Sequence, residues 1–447
     1  MFAAAHPLLA SSDTYIGPPG GDWNTASYWS PSGVPQPGDN VLFAPASGSY
    51  TYDGNYSTAS PLDSFSFGVP GGASGPTMAQ AANTLAATDE YFDTGTYTQS
   101  GGTNNAQTII VGNSHLDNAN YVLEGGSLTA SVIYIDIGTG NATLSQTGNS
   151  YITSQELYIG SLAGAGTAVL SDGTLTAGGI EVASTGSISL GNGPTGALFQ
   201  SGTSYIALGP GSLAIGNGTG SSGNASLSGG TLDTSGVVDV GVNGGAGTLL
   251  QNGTSNINLD SLFVGNGAGS SGTASFAGGT LSAPGQVMYV GFLGGSGTLL
   301  QSGTSFVNLG GGQLYIGLTG SGTANLSGGT LNMTGGELIV GTAAGAGTLL
   351  QSGSSNINLN SGTLVVGYAV GSSGTVSVSG GTLTAGEVDV GVNGTASVTQ
   401  TAGAVAVTGL LLLGTTTGAA GTYSLGGSGS LSATDEEYVG EFGTGTF

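Results

Sequence analysis

Short apolar–polar alternations of three to five residues recur along most of this chain, each stopped by glycine or Ser-Gly. Between Gly347 and Gly374 the pattern is complete. Thr348-Leu349-Leu350-Gln351 reads as one short strand, closed by Ser352-Gly353. Asn356-Ile357-Asn358-Leu359 alternates with period two as a second, and Leu364-Val365-Val366 is a third, ended by Gly367. The glycines that open this unit fall at 223, 247, 272, 297, 322, 347 and 374, which sets a period of 24 to 27 residues. A glutamine marks alternate units, at Gln99, Gln146, Gln200, Gln251, Gln301, Gln351 and Gln400. Periods of this size mean a solenoid, a propeller or an array, and this one is too short for a propeller blade of about 40 residues. It suits one turn of a β-solenoid.

The expected fold is therefore all-β: a single-stranded parallel β-helix (β-solenoid) with a short irregular N-terminal cap. Helix is disfavoured because glycine, serine, threonine and β-branched residues fill every window. Stacked about 4.8 Å apart, about fourteen turns after residue 95 make a rod on the order of 65–70 Å long. Ten of the 13 prolines lie at or before Pro76, and both tryptophans, Trp23 and Trp29, lie there too. Solenoid ends expose unpaired backbone and need covering. Residues 1–40 are assigned to a Pro/Trp-rich cap or subunit-docking segment, and residues 41–447 to a solenoid of about 20–27-residue turns.

Three stretches carry a family resemblance. G-G-D-W-N-T-A-S-Y-W-S-P-S-G-V-P-Q-P-G-D-N-V-L-F, from Gly20, resembles the opening of secreted bacterial proteins built from autotransporter-associated β-strand repeats. T-D-E-Y-F-D-T-G-T-Y-T-Q-S-G-G-T-N, from Thr88, and G-S-S-G-T-V-S-V-S-G-G-T-L-T-A, from Gly371, are similar to planctomycete-type surface repeat proteins of the PEP-CTERM kind. The resemblance implies an exported β-solenoid, secreted or held at the cell surface. It brings no catalytic residue with it.

Charge narrows the function. The chain has no lysine or arginine, 24 aspartates and glutamates, and a formal net charge of −24. Nucleic-acid binding depends on lysine and arginine to neutralise phosphate, so no nucleic-acid partner is expected. Attraction to anionic membranes fails for the same reason, and no run of eighteen apolar residues offers a spanning helix. With no cysteine there are no disulfides or thiolate sites. β-Helix lyases use a basic residue to take a proton, and there is none here. A glycosidase needs only two carboxylates about 5–10 Å apart, but the third-strand acids Asp136, Glu181, Asp239 and Asp389 stand mostly two or more turns apart and read as a solvated face.

No cofactor is implied and no catalytic residue is assigned. Calcium is the natural counter-ion for so acidic a chain. Its candidates are the densest acidic groups, Asp89-Glu90 with Asp93 and Asp435-Glu436-Glu437 with Glu441, for which a structural role is the favoured reading. His6 and His115 are isolated. The recurrent glutamines read as inward groups that satisfy corner carbonyls.

One pattern points outward. The middle residue of each third strand gives, turn by turn, Asp239, Phe263, Tyr289, Tyr315, Ile339, Val365 and Asp389. The five apolar members form a stripe expected to meet another subunit or a glycan, unless a glycine turn folds over it. Trp23 and Trp29 join them as expected contacts. So does Phe447, because Gly443 to Phe447 repeats the start of a first strand and leaves a turn open for end-to-end completion by another copy. The expected function is a structural extracellular protein that assembles with itself into, or decorates, a fibre, sheath or surface layer. The alternatives are a carbohydrate-binding adhesin or passenger domain on a polysaccharide, and a β-helix glycosidase.

Overall fold

A computed structural model describes residues 12–31, 33–69, 75–113, 118–161, 164–177, 187–191, 195–343 and 345–447. It is an all-β parallel solenoid of about 16 turns, with 60% of residues in strands. The single helical element among the described residues is the 3-10 turn Ala26–Tyr28. One turn consists of a first-face strand, a second-face strand and a third-face strand, as in Ala346–Gln351, Asn356–Asn358 and Thr363–Val366. Each pairs in parallel with its counterpart one turn on. At about 4.8 Å per turn the rod is about 75 Å long.

The repeat read from the sequence is the register itself. Gly223, Gly247, Gly272, Gly297, Gly322, Gly347 and Gly374 are successive partners on the first face. Alternate residues point inward and stack like on like, as in Leu262, Met288, Leu314, Leu338 and Leu364. The core is one narrow column of such ladders running the length of the rod.

Glycine at the third-to-first corner is a steric requirement. A Cβ on Gly272 would lie 2.1 Å from the Val240 carbonyl oxygen and 2.3 Å from the Gly265 nitrogen. Gly265, at φ +73°, would bring its own Cβ within 2.1 Å of the Ser296 carbonyl oxygen. Two stretches of backbone pass too close here for any side chain.

The glutamines stitch the turns together from within. Gln251 Nε2 donates to the Ser255 carbonyl at 3.0 Å in its own turn and to the Thr280 carbonyl at 2.8 Å in the next. Gln200, Gln301, Gln351 and Gln400 repeat the arrangement. At Gln99 the network closes at both ends: Nε2 reaches the Gly102 and Ser127 carbonyls, and Oε1 accepts from the Tyr121 hydroxyl at 2.6 Å. The Oε1 of Gln251 accepts from nothing in the core. Gln99→Leu is therefore expected to cost about 3 kcal/mol, because the buried Tyr121 hydroxyl loses the acceptor for its proton and two carbonyls lose their donor, and Gln251→Leu about 1 kcal/mol. Denaturant unfolding of the two variants measures the difference.

The N-terminal end differs from the expected cap. Ser12–Tyr15 already belongs to the third-face ladder, pairing in parallel with Asn40–Phe43, so the stack includes residues well before the expected boundary at 41. Its other edge is covered by the two-residue strand Trp29–Ser30, which runs antiparallel and is followed by Pro31. A short antiparallel strand ended by proline blunts an edge against further addition. Trp23 and Trp29 are each 1% exposed and sit edge-to-face, with ring centroids 4.6 Å apart. Trp29 Nε1 donates to the Trp23 carbonyl, and Trp23 Nε1 to the Tyr56 hydroxyl. The expectation that they form a contact surface is corrected: both are packed inside their own chain.

Candidate functional site

The third-face column is in register as read: Asp239, Phe263, Tyr289, Tyr315, Ile339, Val365 and Asp389 are successive partners. Its middle is an aromatic ladder. Phe263 and Tyr289 stack at 4.8 Å and 17°, and Tyr289 and Tyr315 at 5.3 Å and 13°. Phe292, from the corner after the Tyr289 strand, packs on Tyr289 at 4.8 Å and on Phe263 at 5.4 Å. The three ladder rings are half-buried. Because they lie face to face along the rod, their flat faces meet one another and their edges point outward.

Ile339 and Val365 do not share that exposure. They are 5% and 8% exposed, so the expected five-residue stripe is open over three residues and closed over two. Tyr368 follows Val365 by three positions, yet lies close enough to raise the Tyr315 hydroxyl's pKa. Burial is the first cause of the Tyr315 shift, with Tyr289, Glu337 and Tyr368 adding to it. Tyr315 donates to Gln313 Oε1, and Gln313 Nε2 donates to Glu337.

The third-strand acids are not a solvated face, and Asp136 does not share the column, which runs back from Asp239 through Ala214, Ser189 and Tyr158 to Tyr134. Asp136 is fully buried at φ +62°, where Oδ1 accepts from the Gly138 amide and Oδ2 from the Ala165 amide, so it closes a corner. Burial raises Asp239, against the hydrogen bond from Asn266 Nδ2 at 2.9 Å. Burial, with help from Glu387, pushes Asp389 up to about 7. Glu181 lies outside the described residues, as do His6 and His115.

The calcium candidates do not converge. Asp89 and Glu90 are neighbours on one strand and so face opposite sides of it. Glu90 points into the core, in register with Phe65 and Ile109, where it is fully buried with the Asn104 side chain as its polar neighbour. Asp435, Glu436 and Glu437 are exposed on the last turn. Among the described residues no three histidines, cysteines or acids come together as a metal would require. Phe447 is 61% exposed and stacks on Tyr423 at 5.7 Å, one turn back along the first face.

The chain matches no family model, no curated protein and no solved structure. What it does is therefore read from its own side chains. Sequence reasoning missed two carboxyl pairs at the N-terminal seam. Asp13 hydrogen-bonds Asp39, and burial followed by that partner raises Asp13 to about 6. Asp53 is raised to about 6 by burial and then by its hydrogen bond to Asp22. The signal available was the absence of any lysine or arginine: acids brought together in this chain have only protons to share.

Proposed function

We propose that this protein is a structural, non-enzymatic solenoid of the exported surface-repeat kind, which builds into or decorates an extracellular fibre, sheath or surface layer. The observation that carries this reading is the parallel stacking of about 16 turns, stitched internally by glutamine, which gives a stiff rod with three long faces. Such a rod suits side-by-side and end-to-end packing.

The adhesin alternative relies on ring faces for sugar stacking, and in this stripe the faces are turned on one another. A glycosidase wants two carboxylates about 5–10 Å apart across a groove, whereas the pairs Asp13–Asp39 and Asp22–Asp53 hydrogen-bond directly. Electron microscopy of the purified chain is the test. Rods about 75 Å long that gather into fibres or sheets are expected. Dispersed rods that are retained on an insoluble polysaccharide, or that release reducing sugar from one, would replace this reading with an alternative.

A further inference from the structure

The 24 acidic residues are unevenly spread. From Val240 to Gly386 only Asp260 and Glu337 are charged, and the other 22 lie before or after this stretch. The aromatic ladder falls inside it. So do three exposed apolar side chains of the corner that follows the third face: Leu293 at 56%, Tyr368 at 52% and Val370 at 82%. Phe292 packs on the ladder, Leu293 follows it at the corner, and Tyr368 and Val370 stand exposed at the same corner three turns on, all on the sparsely charged middle of the rod.

Leu293 holds a corner position whose left-handed backbone recurs in other turns, at Ala343 for one (φ +47°). It sits at φ +49°, a left-handed conformation that favours glycine or asparagine. The equivalent corner of an earlier turn holds Asn243, at φ +54°. In the middle of the rod that position carries instead a leucine whose side chain is mostly in water. Local strain combined with exposed apolar surface marks a surface kept for contact.

We infer that this edge, from Phe263 through Tyr289 and Leu293 to Val370, packs against the same edge of a second copy of this chain. The proposal rests on the reading that the rod assembles, and it names the surface. Charge selects the occupant. Two copies, each at a formal −24, repel wherever their acidic ends meet and least where their middles meet. A cationic partner would be drawn to the ends instead. A sugar would need ring faces, while the outward ring edges suit edge-to-face contact with a second ladder. A contact of one edge with its own copy is two-fold symmetric, and it sets middle against middle.

Sedimentation velocity of the full chain, at low and at high salt, tests the proposal. The native chain is expected to self-associate, more strongly at high salt as repulsion between the ends is screened. The triple variant Leu293→Asn, Tyr368→Glu, Val370→Glu changes only exposed side chains, and asparagine suits the Leu293 backbone. It is expected to weaken association at least tenfold with an unchanged circular dichroism spectrum. The control Asn256→Glu with Phe306→Glu adds the same number of charges to the second face and should associate as the native chain does. If the triple variant associates like the native chain, or the control is weakened equally, the edge is not the interface, although the assembly reading survives. If the native chain stays monomeric at every salt concentration, both fall.

Discussion

Acid is expected to stabilise this protein: its denaturant midpoint should be clearly higher at pH 5 than at pH 8. Asp13, Asp53, Asp239, Asp389 and Glu90 are all raised above their ordinary values, in each case chiefly by burial. For a carboxyl raised on folding, the folded state holds its proton to higher pH than the unfolded chain does. Stability is then fully present below the unfolded value near 4 and is lost as pH climbs through the folded value. The window for Asp13 and Asp53 runs from about 4 to about 6, and that for Asp389 from about 4 to about 7. Glu90, also raised by burial, works in the same sense. A three-unit shift is worth about 4 kcal/mol, so Asp389 alone makes the effect measurable. Asp22 is shifted down, chiefly by the Asn24 amide, and works in the opposite sense. In most proteins a nearby lysine or arginine would reverse the trend, and here there is none. Glu90→Gln, which keeps the shape and removes the ionisation, should make the loss of stability with rising pH shallower. A midpoint that rises from pH 5 to pH 8 would show these carboxyls to be solvated.

Gly272→Ala is expected to disrupt the solenoid outright at that turn, with a loss of 3 kcal/mol or more. Overpacking by one methyl ordinarily costs about 1–3 kcal/mol because side chains can move aside. At Gly272 the obstructing atoms are the Val240 carbonyl and the Gly265 amide, both held in the inter-turn ladder. Relief would require neighbouring turns to part. Gly311→Ala is the natural control, since a Cβ there meets nothing within 4 Å. Thermal unfolding of the two variants should differ widely. Equal stability would mean that the corner backbone yields more readily than the contacts suggest.

Much of the fold was written in the one-dimensional pattern. A parallel solenoid places residue i of one turn beside its counterpart in the next, so the sequence period is also the spatial neighbour list. The glycines from Gly223 to Gly374 and the column from Asp239 to Asp389 could thus be aligned by spacing alone. Inward and outward followed from strand alternation, which placed Gln251 and its equivalents in the core, against corner carbonyls.

What spacing could not supply was anything set by contacts across the period. The N-terminal segment has no repeat, so the parallel pairing of Ser12–Tyr15 and the burial of Trp23 and Trp29 depended on which aromatic rings meet in three dimensions. The burial of Ile339 and Val365, beside three half-buried rings of the same column, depended on what packs next to them in three dimensions. The acids behaved likewise. Alternation on one strand sent Glu90 inward and Asp89 outward, which parts a pair that looked like a metal site, while folding joined Asp13 to Asp39 and Asp22 to Asp53 across 26 and 31 positions of sequence. The sequence by itself determined the turn, its three strands, its corners and the sign of its charge, because each depends on local pattern or composition. Only the tertiary structure decided which surfaces stay open and which carboxyls must share a proton, because exposure and electrostatics depend on neighbours that the repeat does not encode.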